Sequence, residues 1–110
     1  MIEDRIRNIE ERIRGTEKLP AETKAELLSL LQNLKREIAA LPATHGESAD
    51  SVTRFAEAGA HEATRAEAKP RLLEAAVDGL QASVEEFEVS HPKLADTINR
   101  IAMILSNMGI

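Results

Sequence analysis

Apolar residues in this chain return every three or four positions, and that spacing admits little besides helices. The series Ile2, Ile6, Ile9, Ile13 opens the chain, and Leu27, Leu31, Leu34, Ile38, Leu41 follows after a break. The same steps recur at Leu73, Val77, Leu80, Val84, Phe87 and again at Leu94, Ile98, Ile101, Leu105, Met108. With 3.6 residues per turn, such steps put each series on one face of a helix. No stretch alternates apolar and polar as a half-buried strand does, and Ala, Leu, Glu, Arg and Lys, all strong helix formers, dominate each segment. The chain is therefore read as all-α. Leu28, Leu30, Ala102 and Ile104 widen the stripes beyond a two-stranded coiled-coil seam, so antiparallel helical hairpins packed as a bundle are expected.

Residues that cannot continue a helix place the breaks. In "GTEKLP", residues 15 to 20, Gly15 ends the first helix and Pro20 starts the second, with Thr23 and Glu26 as an alternative capping box. "PATHGESADS" concentrates Pro, Gly, Ser and Asp, which predicts a flexible linker at 42–51 inside one domain spanning 1–110. From Val52 the steps of three and four run on to Phe87, passing through Pro70. The expected helices are therefore about 2–14, 21–41, 51–89 with a break or kink near Pro70, and 92–108.

Unbroken, the third of these would reach roughly 54 Å at 1.5 Å per residue, about twice the span of the helix after it. Its first half carries Ala56, Gly59, Ala63 and Ala66 along the seam, small residues that bury little area but let another backbone come close. This line reads either as a marginal, solvent-facing helix or as a close contact with the first two helices or with a second chain. Closed twofold symmetry is the commonest oligomer, so a homodimer is the expected source of a second chain.

The reactive inventory is thin. Cysteine is absent, which removes disulfides, thiolate nucleophiles and the usual structural zinc site. The five glycines are scattered and no serine sits in a GxSxG context, so phosphate-loop and nucleophile-elbow patterns are missing. His61 has Glu57 four residues before it but no second His at ligand spacing; His45 lies in the expected linker. Glu85, Glu86 and Glu88 cluster, and read as a solvated acidic face or a docking surface for a basic partner. No catalytic residue, metal or cofactor is expected. The net charge is −5, from 14 basic and 19 acidic residues, so no global field draws the chain to nucleic acid. The first-helix arginines alternate with acids, predicting surface pairs such as Glu3 with Arg7 and Glu10 with Arg14, not a basic membrane-surface helix. The charged start and the five-residue maximum apolar run, "IAMIL", fit a cytoplasmic protein with no membrane segment.

The closing stretch "FEVSHPKLADTINRIAMILSNMGI" is the one candidate site. Ser90 as N-cap, with Val89 stapled to Leu94, would start the last helix; His91 as cap, with Pro92 in the first turn, is the alternative start. Gly109 and Ile110 fit a Schellman stop, Ile110 folding back on Leu105. Phe87, Glu88, His91, Pro92, Leu94, Met108, Gly109 and Ile110 together resemble the end of a family of short bacterial proteins known as a domain of unknown function. That resemblance implies a bacterial source and no reaction.

The sequence thus points to a non-catalytic helical interaction or structural protein, self-associating as a dimer or binding an unidentified protein partner. Its candidate surface is Ala56, Gly59, Ala63, Ala66, Glu85 and Glu86, with Ser90, His91, Pro92, Gly109 and Ile110 as structural caps. The rival is a metal-binding or catalytic protein centred on His91, with Glu88 close in sequence.

Overall fold

The computed structural model describes residues 1–108. Five α-helices follow in order: α1 (Ile2–Gly15), α2 (Ala21–Ala39), α3 (Gly46–Thr64), α4 (Pro70–Val84) and α5 (Pro92–Met108). Two short 3-10 turns, Ala43–His45 and Glu85–Phe87, lead into α3 and out of α4. No strand occurs among the described residues, and an all-α bundle is what the three-and-four spacing demands.

The apolar series become the core. Ile6, Ile9, Ile13, Leu27, Leu31, Leu34, Leu80, Phe87, Ile98, Ile101 and Leu105 are all essentially inaccessible. Each such side chain contributes about 1.5–3 kcal/mol by leaving water. Ile2, Ile38, Leu41 and Met108, at the ends of their series, are only partly covered and pack against the rim of the same cluster.

Two expectations are sharpened by the structure. Of the break or kink expected near Pro70 in the stretch 51–89, it is the break that occurs, and the stretch forms two helices. Thr64 ends α3, and Arg65 turns to an extended backbone with ψ of 151°. Lys69, at φ −127° and ψ 85°, sets up Pro70 as the first residue of α4. A residue before proline is driven out of the helical region, and Pro at N1 loses no hydrogen bond, so the dipeptide ends one helix and begins another. The seam continues in sequence because both helices present their core faces to the same interior, but α4 folds back beside α3. The longest extent of the molecule is 38 Å, short of the roughly 54 Å an unbroken helix would need.

The segment 42–51, read from its composition as a linker, is largely helical. After Pro42 it makes one 3-10 turn and enters α3 at Gly46, with Ala49 buried. Gly, Ser and Asp sit in the first turns of a helix, where weak propensity costs least and an acidic residue such as Glu47 favours the positive helix end.

Polar ties between helices replace the pairs expected along α1. Arg5 donates to Asp50 and, at 3.2 Å, to the Thr53 hydroxyl, joining α1 to α3. Glu10 is buried beside the Ile6–Ile9–Ile13 seam and accepts from Gln32 of α2 instead of pairing with Arg14. Arg7 pairs with Asp4 at 3.2 Å, not with Glu3.

Helix ends are closed by lysines from neighbouring segments. Lys24 Nζ donates to the carbonyls of Arg14 (3.1 Å) and Thr16 (2.8 Å), satisfying the end of α1; Lys18 Nζ donates to the Arg65 carbonyl (2.7 Å) beyond α3. A cation at a helix C-terminus also meets the negative end of its dipole. Gly15 accordingly has no left-handed backbone to adopt, and none of the described glycines has a positive φ.

Candidate functional site

The small-residue line comes first. Ala56 and Ala63 are each 1% exposed and Gly59 is buried. They lie inside the chain, where α3 touches α1, α4 and α5. At Gly59 the approach to α5 is close: a Cβ there would stand 3.2 Å from Leu105 Cδ1. The close contact that the line permits is thus made within one molecule. Ala66, in the turn between α3 and α4, is exposed. Of the acids, Glu85 and Glu86 lie exposed on the 3-10 turn after α4, and Glu86 accepts from the Ser48 hydroxyl of α3.

The tail starts as the second of its two predicted readings. The His91 carbonyl accepts from Ala95 N–H at 3.1 Å, so His91 is the cap residue and Pro92 the first of α5. The Ser90 hydroxyl lies 2.9 Å from His91 Nδ1 rather than on the Lys93 amide. Val89 is 94% exposed, so it forms no staple with the buried Leu94. Gly109 and Ile110 lie outside the described residues.

His91 is half-buried, and two rings lie against it. Its ring centroid lies 5.3 Å from that of His45, near edge-on, and 6.0 Å from Phe87; His45 lies 5.6 Å from Phe87. Three rings from the 3-10 turn before α3, the turn after α4 and the start of α5 thus close one end of the bundle. Nothing in the spacing announced His45, because it stands 46 positions before His91 and only the return of α4 and α5 brings them together. Beside them a cleft of about 380 Å³ is lined by Glu37, Ala40, His91, Pro92, Lys93 and Leu94. One Glu37 carboxylate oxygen is buried there without a hydrogen-bond partner; the cleft's other wall is the first turn of α5, whose dipole favours a negative charge. No group of three His, Asp or Glu among the described residues could hold a metal ion.

A second surface was not foreseen. Between α4 and α5 runs a groove floored by Leu73, Val77 and Ala102, with Glu74 and Asp78 on the α4 rim and Met103 on the α5 rim. Met103 is 65% exposed in the middle of α5. The signal was legible as Met103, which like Ile104 is a large apolar residue of α5 standing off the 94–98–101–105 seam.

A compact all-α bundle with this groove defines a class, small helical domains, rather than an activity. The chain belongs to the family described as a domain of unknown function, DUF4404, whose match covers residues 55–110. No curated protein and no solved structure matches. No helix among the described residues is long and apolar enough to cross a membrane.

Proposed function

We propose that this protein is a non-catalytic, cytoplasmic helical module that works through protein contacts and associates with itself. The observation that supports this is the α4–α5 groove, apolar along its floor and flanked by the exposed Met103. Large apolar side chains left in water beside a groove are characteristic of contact surfaces, and helices commonly dock in such grooves. Sedimentation equilibrium tests self-association: a mass that rises with concentration is expected, and a strict monomer across roughly 1–100 µM overturns it.

The pairing of His91 with His45 favours a second reading, a metal-binding or proton-transferring site at that end of the bundle. Elemental analysis with NMR titration of both imidazoles separates it from the first. Bound metal, or titration far from the ordinary value of about 6.5, would support it; no metal and ordinary curves dismiss it.

A further inference from the structure

We propose that two copies of the chain associate through the α4–α5 face, each seating Met103 in the groove of the other. This rests on the self-association read above and adds the surface and the residues that hold it. A twofold contact uses one patch on both copies, so the patch must carry a projection and the hollow that receives it. Here both lie side by side: Met103 projects from the rim, and Leu73, Val77 and Ala102 floor the hollow. Methionine, unbranched and polarizable, suits an irregular apolar hollow.

Charge supports the same seating. Glu74 and Asp78 line the α4 rim, and neither belongs to an ion pair among the described residues. On α5, one turn before Met103, Arg100 is 62% exposed and among the described residues pairs only with Asp96, at 3.1 Å. Pro70 and Leu73 share a hollow with Met108, and Gln81 shares the groove with Asn99, so α4 and α5 run antiparallel, with Glu74 about level with Ser106. A twofold axis at the level of Met103, passing between that side chain and the groove, carries Arg100 of one copy to the level of residue 106 of the other, on the side of that copy's Glu74. An acid rim meets a base at the register that the apolar fit requires.

Of the other exposed apolar residues, Phe55 already lies on Gly79, Val89 stands alone at the corner before α5, and Leu72 and Met1 do not line the groove. Two helices about 25 Å long give a footprint near 500 Å² per copy, about 1,000 Å² in all, at the low end of specific interfaces. Contacts of that size are typical of weak, transient association, which sets the concentration range to be searched.

The test is sedimentation equilibrium at roughly 1–100 µM on the whole chain, comparing wild type, Met103→Asp, Arg100→Glu, and Arg100→Glu combined with Glu74→Arg. These side chains are exposed, and matching far-UV circular dichroism melts verify that each variant folds; Asn107→Arg, on the same face, is a second disruption. A wild-type dimer is expected, with at least tenfold weaker association for Met103→Asp, Asn107→Arg and Arg100→Glu, and recovery in the charge swap. A dimer indifferent to Met103→Asp and Asn107→Arg overturns this surface while leaving self-association standing. A swap that fails to restore association overturns the twofold register. A monomeric wild type overturns both.

Discussion

Gly79 shows how one missing atom shapes a surface. The Phe55 ring of α3 lies where a Cβ on Gly79 would be, at 2.3–2.8 Å from it, so the ring packs onto α4 only because that residue is glycine. Glycine inside a helix costs about 1 kcal/mol relative to alanine. Phe55 is 40% exposed, and its ring can swing into water if displaced. Gly79→Ala in a Phe55→Ala background is therefore expected to raise stability by about 1 kcal/mol. In the wild-type background the displaced ring offsets most of that gain. Denaturant unfolding of the four proteins of this cycle measures the difference; equal gains in both backgrounds would mean that the ring contributes nothing by lying there.

At the scale of helices, apolar seams bring elements together and a few polar ties set their register. Asp50 of α3 takes Arg5 of α1 on one oxygen and Arg54 of its own helix on the other. The hydrogen bond from Arg5 holds the Asp50 carboxyl below its ordinary value of 3.8, with Arg54 adding to it, against a smaller opposite effect of burial. A carboxyl depressed in the folded state stabilises the fold above its unfolded value and loses that contribution as pH falls through 3.8 toward the folded value. Asp50→Asn is accordingly expected to melt below wild type at pH 7, with the gap narrowing as pH drops beneath about 4. Thermal melts by circular dichroism at several pH values check this; a gap unchanged with pH would mean that the ion pair adds nothing. The break at Arg65–Lys69 belongs to this scale as well. Its Pro70 was visible in the sequence, but whether a proline kinks a helix or separates two depends on what the second half packs against. Here that is α3 itself.

For the whole molecule, α3 is the element that every account of stability must include. It touches α1, α4 and α5, while α2 closes the far side against α1 and α5. The radius of gyration is 12.9 Å, close to the ~13 Å expected of a compact domain of this length. The family match begins at residue 55, inside α3. A fragment of residues 55–110 would lose the first half of α3 and all of α1 and α2, exposing the side of α5 that packs on α2. It is expected to show no cooperative thermal transition, whereas the whole chain shows one; scanning calorimetry of both decides it. A fragment that melts cooperatively would make residues 1–54 an accessory rather than half of the core.

By itself the sequence determined the class of fold, the core side chains and most helix limits, because these follow from a local rule: a three-and-four spacing leaves an apolar face that must be buried. It also held both starting points for α5, Ser90 or His91, without deciding between them. Only the tertiary structure decided what each face is buried against. The Ala56–Gly59–Ala63 line became an inner contact of α3 because α4 turns back at Pro70, and His45 met His91 for the same reason. Met103 was left outside because α2 and α4 cover the rest of α5. Those outcomes depend on contacts between residues far apart in the chain, which no periodicity within one helix encodes.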